Sequence, residues 1–358
     1  MSYMFAEKQE SLSLSIHQIA WEEVQKLGGL APLKKIYQLV VDRIRIMEEP
    51  MPRLDSIRGA VVDKTIGTGR RANNGEYLFE RVEKGIYKIV TDEDVFCVLN
   101  ESSRDMSVLE DESVDVILAD HPWDEGSNHK SGNQKGFADD YADTTFAYTL
   151  EDFQAKYRVL KPGGFCLENL PAENGVNSDY LVKIRLMAKE AGFKVYSFTP
   201  WVKFKTPKNT GRTQKDREYV LTLYKPDHNG KPRRLAPQGK PYFTKTMIPA
   251  AFDIPAPHNK THQAEKPVQL YEKLLELFSE PNDVIVDQFG GSGNSAVAAL
   301  KLKRYPIVYE LMEKYAKKIS DKLKLDKLFN FSIKGDKKKS EEVKLELVFN
   351  ENGQASLF

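Results

Sequence analysis

"DVIVDQFGGSGNSAVAA", residues 283–299, decides how this chain folds. Val284, Ile285 and Val286 form a short β-branched apolar run, the pattern of a strand buried on both faces. Gly290, Gly291 and Gly293 follow, and they permit a tight turn with close backbone approach to a ligand. "NSAVAA" then reads as a helix, whose N-terminus offers free N–H groups and a partial positive charge. The next apolar run, "RYPIVYE", ends in Glu310, about 20 residues beyond Gly290, where an α/β sheet holds the hydroxyls of an adenosine ribose. The turn and the acid together favour a nucleoside-type ligand over an empty glycine turn. Gly291, Gly293 and Ala296 also meet the loose G-x-G-x-x-A pattern, which leaves a nicotinamide cofactor open.

Strand and helix patterns alternate outward from this turn over about 95–316, which predicts an α/β sheet. "SVDVILAD" and "FCLENL" read as strands, residues 150–160 as a helix and "LKPGG" as a turn. Asp179–Ala191 is amphipathic, and Gly192 ends it. "FKVYSFTPWVKF" and "REYVLTLYK" alternate like two paired strands. "KPVQLYEKLLELF" and "LMEKYAKKISDKLKL" read as helices. Residues 225–262 are rich in Pro, Gly, Asn and Lys, and the tail beyond about 327 joins a charge run to one alternating strand, "VKLELVF".

The chain has 358 residues with a formal charge of +1, so any nucleic-acid surface must be local. Its two cysteines, Cys97 and Cys166, lie in apolar surroundings, which argues against a disulfide framework and fits a reducing cytosol. The six histidines are scattered, so no zinc spacing exists and no metal is expected. No apolar run is long enough to span a bilayer, and the start lacks a signal-peptide pattern. The expectation is a soluble, cytoplasmic protein without a membrane partner.

Residues 11–90 read as a small unit. Ile16, Ile19, Ala20, Val24 and Leu27 repeat at helical spacing. Pro32 suits the first position of a second helix, and Asp55 can cap a third. "YLFERVEKGIYKIV" is a hairpin signal. Three helices and a hairpin resemble a winged helix-turn-helix of the kind attached to restriction-modification proteins. Arg53, Arg58 and Lys64 suit phosphate contact or groove entry. A packing or dimerisation role with ordinary solvated charges is the alternative.

"ADHPWDEG", residues 119–126, ends the strand "SVDVILAD" with a carboxylate and a tryptophan, and the sequence predicts that Asp120 and Trp123 are exposed together. The stretch resembles the Asp-Pro-Pro-Tyr/Trp signature of S-adenosylmethionine (SAM)-dependent methyltransferases that act on exocyclic amino groups of bases. "LKPGG", "HQAEKPVQLYEKLLELF" and "DQFGGSG" resemble the family's further motifs. Their order, catalytic tetrapeptide first and cofactor turn last, is that of the permuted β-class. The resemblance covers roughly 95–316. It implies a Rossmann-like SAM-dependent methyltransferase core of the α/β class, with an N-terminal winged helix-turn-helix domain. The implied division is 1–92 for the winged helix, 93–327 for the core with a recognition region at about 200–262, and 328–358 for the tail.

By the same resemblance the catalytic residues are Asp120, His121, Pro122 and Trp123. Asp120 and the His121 carbonyl accept the two amine hydrogens, Pro122 stiffens the loop, and Trp123 stacks on a flipped base. SAM is held by Asp287, Phe289, Gly290, Gly291, Ser292 and Gly293, with Glu310 on the ribose, Lys266 on the methionine carboxylate and Asp105 at the adenine. Methylation of cytosine C5 is excluded, since it needs a cysteine nucleophile, typically after a proline, and both cysteines follow phenylalanine. Asp in first place favours adenine N6 over cytosine N4; an N4-cytosine DNA methyltransferase, an RNA adenine methyltransferase and a non-catalytic DNA-binding subunit are the alternatives.

Two positions depart from the pattern: His121 replaces the first proline of the tetrapeptide, and Gln288 replaces the proline of Asp-Pro-Phe. The loop should be less rigid for it. Lys203, Lys205, Lys208, Arg212, Lys215, Arg233 and Arg234 fall in or beside the recognition region and can neutralise phosphates. The polar loop 124–143 could order over the base. The chain ends "QASLF", which resembles the peptide that docks on the bacterial sliding clamp through Gln354, Leu357 and Phe358. The partners implied are DNA, the clamp, and a homodimer mate or methyltransferase subunit.

Overall fold

The computed structural model describes residues 14–67, 77–104, 106–123, 147–175, 177–203, 216–233, 248–258 and 265–335, with two short strands at 348–349 and 355–356. The N-terminal unit comprises α1 (Ile16–Leu27), β1 (Leu30–Pro32), α2 (Leu33–Ile46), α3 (Leu54–Asp63), β2 (Phe79–Glu83) and β3 (Ile86–Ile89). The Gln18 side chain accepts the backbone N–H of Ser15 at 3.0 Å, half of a capping box that starts α1. Gly28 ends it at φ +113, where a Cβ would strike the Phe96 ring at 2.4 Å. Two expectations shift by one or two residues. Pro32 precedes α2 as its cap, and Arg53 occupies the cap of α3. Asp55 lies in the first turn instead, where its charge still faces the positive helix end.

The three helices pack their apolar faces on a small sheet in the order β1-β3-β2, around Ile19, Val24, Ile36, Val40, Ile57 and Phe79. The unit is docked on the rest of the chain. Leu30 N–H donates to Phe96 O at 3.2 Å, Lys35 pairs with Glu101 at 3.0 Å, and Leu30 and Ile86 join the main core.

That main body is an eight-stranded sheet. Its strands are β4 (Cys97–Leu99), β5 (Val114–Ala119), β6 (Leu160–Pro171), β7 (Lys194–Val202), β8 (Arg217–Tyr224), β9 (Phe252–Asp253), β10 (Val284–Asp287) and β11 (Tyr305–Tyr309). The order is β4-β11-β10-β5-β6-β8-β7-β9. The first five run parallel, and β8 is antiparallel to both β6 and β7. The helices are α4 (Leu150–Val159), α5 (Ser178–Glu190), α6 (Val268–Phe278), α7 (Asn294–Lys301) and α8 (Glu313–Gly335), the last running past 327. "LKPGG" is not a separate turn. It opens β6, whose register against β5 shifts between Val114 and Val116, with Gly163 at φ +83.

Successive residues of the central strands feed opposite faces, as strand geometry requires. Ile117, Cys166, Leu170, Val284, Val286 and Ile307 pack toward α4 and α5, with Phe153, Val159, Leu181 and Ile184. Val116, Leu118, Phe165, Leu167 and Ile285 pack toward α6, with Leu270, Leu274 and Phe278. With both faces covered, the parallel strands read as near-continuous apolar runs. Function must then sit at their ends. β5 and β10 are neighbours, with Leu118 beside Asp287. From β5 the chain moves outward to β6, while β10 leads the other way to β11. That point of divergence is where open α/β sheets bind ligands. Among the described residues no helix is long and apolar enough to cross a membrane.

Candidate active site

Four polar residues lie at or near the C-terminal ends of the central strands: Asp120 after β5, Asn169 in β6, Asp287 in β10 and Glu310 after β11. The Asp120 carboxylate has both oxygens engaged. Lys266 Nζ donates to Oδ2 at 2.7 Å, and Asn169 Nδ2 donates to Oδ1 at 3.0 Å. Asn169 also donates to Glu218 Oε2 at 2.7 Å, and Lys266 stands 3.5 Å from the same oxygen. Lys203 closes the arrangement by pairing with Glu218 Oε1.

The electrostatics follow from burial. Burial raises the Asp120 pKa, Lys266 opposes the rise, and the Glu218 charge adds to it. Burial works against the Lys266 ammonium, yet the Asp120 and Glu218 carboxylates outweigh it and raise its pKa. Glu218 resists its own burial because Lys266 and Lys203 hold it below the usual carboxylate range.

Asp120 and Trp123 are not exposed as the sequence predicts; both are half-buried. The Trp123 indole N–H donates to Asn169 O at 3.1 Å, and Lys266 Nζ lies 5.5 Å from the ring centroid. The Asn169 amide and carbonyl thus hold the acid and the ring from one position. Pro122 is half-buried between them, and His121 is buried. A small cavity reaches inward from Asp120 between Leu167, Val220, Leu270 and Tyr271.

The glycine turn lies beside this acid. Gly290 is demanded by packing, since a Cβ there would meet Val308 Cγ1 at 2.5 Å. Gly293 caps α7 at φ +74, a region open to glycine. Phe289 N–H donates to Asp287 Oδ1 at 3.0 Å, and the Ser295 hydroxyl donates to Oδ2. Burial nonetheless pushes Asp287 up to about 7. Glu310 accepts the Gly291 N–H at 2.9 Å and the Met312 N–H at 2.8 Å, while its burial raises its pKa. Ser292 and Phe289 are half-buried on the same turn.

Several expected positions fall elsewhere. Lys266, expected at the methionine carboxylate, donates to Asp120. Lys203 is engaged by Glu218, so the recognition-region charge it was expected to present is neutralised within the fold. Arg233 pairs with Asp115 at 3.0 Å and with Asp283, and donates to Phe278 O at 3.2 Å. Those partners lie near the starts of β5 and β10, at the opposite end of the sheet from Asp120, so Arg233 ties strands together. Arg53 and Arg58 are exposed on α3, and Lys64 is half-buried at its end. Asp105, Lys205, Lys208, Arg212, Lys215, Arg234, Gln354, Leu357, Phe358 and the loop 124–143 lie outside the described residues.

Sequence reasoning missed Asn169 and Glu218. Asn169 carries a signal akin to the one that marked Asp120, a polar residue near the end of a buried apolar strand. Glu218 carries none, because its charge reads as the solvated start of "REYVLTLY".

Residues 114–321 match the N6/N4 DNA methylase family model, more than half of the chain. YubD of Escherichia coli (strain K12), named as a methylase, is 29% identical over 214 residues, 59% of this chain and 82% of that protein. The type II methyltransferase M.BglI of Bacillus subtilis is 28% identical over 212 residues, 55% of this chain and 57% of its own length. The chain thus spans little more than half of that relative. Among solved structures, the cytosine-N4-specific PvuII DNA methyltransferase superposes with a TM-score of 0.50 at 19% identity, covering 69% of this chain and 94% of that one, a likeness of fold. The chain belongs to the N6/N4 DNA methylases, a family of SAM-dependent methyltransferases.

Proposed function

We propose that this protein methylates adenine N6 in DNA, on a base flipped out of the helix. The observation that carries the reading is the half-buried Asp120 carboxylate, fixed by Lys266 and Asn169 at the end of β5 and adjacent to the β10 glycine turn. An aromatic amine is a weak nucleophile because its lone pair is delocalised into the ring. Asp120 accepts one amine hydrogen and the His121 carbonyl the other, which returns electron density to nitrogen. The proton released from nitrogen passes to Asp120, whose burial raises its proton affinity. Trp123 stacks on the base, and Pro122 fixes the chain between them. Positioning and charge placement supply the rate, with no covalent enzyme intermediate.

The β10 turn fits SAM on the chemistry of its donors. When bound, SAM supplies a methyl group on a positively charged sulfur. Asp287, a buried carboxylate pushed up to about 7, gains from a cation brought beside it. Glu310 retains lone pairs beyond its two N–H bonds and can accept ribose hydroxyls. Phe289, Gly290, Gly291, Ser292 and Gly293 form the wall. Asp105 at the adenine stays part of the reading.

The N-terminal unit, residues 1–92, acts as a winged helix that contacts DNA through Arg53, Arg58 and Lys64; its element order and the exposure of both arginines support this. Residues 93–327 form the permuted catalytic core, and Lys205, Lys208, Arg212, Lys215 and Arg234 meet phosphates from the recognition region. The tail, 328–358, docks on a sliding clamp through Gln354, Leu357 and Phe358. The setting is cytoplasmic and nucleoid-associated, with a dimer mate or second methyltransferase subunit as a further partner.

The test is incubation with methyl-labelled SAM and mixed-sequence DNA, digestion, and identification of the labelled nucleoside, with Asp120→Ala as control. N6-methyladenine that vanishes in the variant supports the reading. N4-methylcytosine or label confined to RNA redirects the substrate assignment, and no transfer to either overturns the catalytic role.

A further inference from the structure

His121 and Gln288, the two positions where the sequence departs from proline, meet one buried polar cluster. The His121 ring packs 4.2 Å from the Tyr148 ring, centroid to centroid. Its Nε2 is hydrogen-bonded to the Tyr180 hydroxyl on α5, and its Nδ1 stands 3.7 Å from Glu168 Oε2 on β6. The Tyr148 hydroxyl donates to Glu168 Oε2 at 3.0 Å and lies 3.4 Å from Gln288 Oε1. Lys156 Nζ on α4 donates to Glu168 Oε1 at 2.5 Å and to the Tyr148 hydroxyl at 2.8 Å. Gln288 anchors the far side. Its Nε2 donates to Ser103 O at 3.3 Å, and its backbone N–H donates to Leu118 O at 2.9 Å. Lys156 and Glu168 are both 0% exposed.

Such a cluster is a poor source of stability. Replacing a buried ion pair with well-packed apolar groups is often neutral or stabilising. What a buried, hydrogen-bonded network does provide is fixed geometry. Seven segments converge here: the chain after β4, the chain after β5, the chain before α4, α4 itself, β6, α5 and the chain after β10. The chain after β5 carries Asp120 and the His121 carbonyl.

We propose that His121, Tyr148, Lys156, Glu168 and Gln288 form a buried clamp that positions the catalytic stretch 120–123, giving through side-chain contacts the rigidity that proline would give through the chain. His121 thus acts twice, by its carbonyl on the substrate and by its ring on the clamp. Tyr148 and Gln288 are positioning residues. The inference rests on the proposed role of Asp120, but its central readout needs no turnover.

The variants are Tyr148→Phe, which removes one oxygen and leaves the Lys156–Glu168 pair intact, and Gln288→Ala. Hydrogen exchange is followed by peptide in the full-length protein, alongside methyl-transfer kinetics. Exchange at 118–123 is expected to rise about tenfold in both variants, with β6 and the N-terminal unit unchanged. kcat falls roughly 10- to 100-fold, the scale of a misplaced reacting group, while KM for SAM stays within about twofold. The double variant is expected to be little worse than either single one, because both act on one device. Unchanged exchange at 118–123, or a rise spread evenly over the sheet, overturns the clamp. Local loosening with undiminished kcat also overturns it. A wild-type protein that transfers no methyl group sinks the functional reading instead, and the exchange pattern still decides whether the clamp exists.

Discussion

Lys266 Nζ lies 2.7 Å from Asp120 Oδ2, across 146 residues of sequence. Lys266 is 5% exposed and Asp120 16%, so the pair is largely withdrawn from water. Removing the ammonium leaves Asp120 facing Glu218 with no cation between them. The Asp120 pKa, already raised, then rises further, and the ionised acid forms only at higher pH. Lys266→Met should therefore move the acid limb of the kcat/KM profile upward, with Lys266→Arg moving it less. It should also lower Tm, since losing one partner of a buried pair costs about 3–5 kcal/mol. A profile that keeps its acid limb would mean that Lys266 does not govern Asp120.

Asp287 gives a second pH dependence. Its folded pKa is raised from 3.8 to about 7, so the folded state prefers the protonated form. That preference contributes stability in full below pH 4, loses it as pH rises toward 7, and contributes nothing further above. Asp287→Asn keeps a neutral group at every pH. Its Tm should match the wild type near pH 4 and exceed it increasingly up to about pH 7, then hold a constant lead. SAM binding should show the opposite preference. A cation favours ionised Asp287, so wild-type affinity climbs with pH to about 7, while the variant binds weakly without that climb. Calorimetry at several pH values checks both; a parallel climb in the variant excludes Asp287 as the source.

The sequence reveals the core better than the site, for a physical reason. Apolar runs such as Val284–Val286 and Val116–Leu118 are buried on both faces, so strand, glycine turn and helix are legible from the residue types alone. Pro32 and Asp55 missed their exact roles because caps depend on backbone angles that residue type only biases. The site is made by convergence. Asn169 reaches Asp120 because β6 lies beside β5, and Glu218 joins because β8 is antiparallel to β6. No local pattern encodes those neighbours. Arg233 misleads for the same reason, since a basic residue in a polar stretch reads as solvated until Asp115 and Asp283 are placed beside it.

Glu310 holds two backbone N–H groups, from Gly291 and Met312. Glu310→Gln turns one acceptor into a donor, which then faces a donor across a bond of about 2.9 Å. The glycine turn should loosen, and one oxygen able to accept a ribose hydroxyl disappears. Losing a charged hydrogen bond costs about 1.5–3 kcal/mol, so Kd for SAM should rise roughly 10- to 100-fold. DNA binding without SAM should be unaffected, which a gel shift measures. Equal SAM affinity in variant and wild type would remove Glu310 from the cofactor site.

The proposed clamp docking through Gln354, Leu357 and Phe358 is separable from methyl transfer. Deleting residues 354–358 should abolish capture by an immobilised sliding clamp and leave methyl transfer on short duplexes at wild-type rate. Capture that persists after the deletion rejects the terminal peptide as the docking element.

Arg53, Arg58 and Arg233 separate nucleic-acid contact from internal bracing. Arg53 and Arg58 are exposed on α3, while Arg233 joins Asp115 and Asp283 and donates to the Phe278 carbonyl. Every phosphate that a side chain neutralises adds about 0.9 to the steepness of log K against log salt on duplex DNA. Arg53→Ala with Arg58→Ala should thus make the slope shallower by roughly 2, with Tm nearly unchanged because neither side chain is buried. Arg233→Ala should behave in reverse. It leaves Asp115 short of a partner beside Lys161, and burial already raises the pKa of that acid. Tm should fall while the salt slope stays. Fluorescence titrations over a range of salt, paired with thermal melts, place each variant on one axis or the other. A slope unchanged by the α3 pair would take the N-terminal unit out of DNA contact and favour packing as its role.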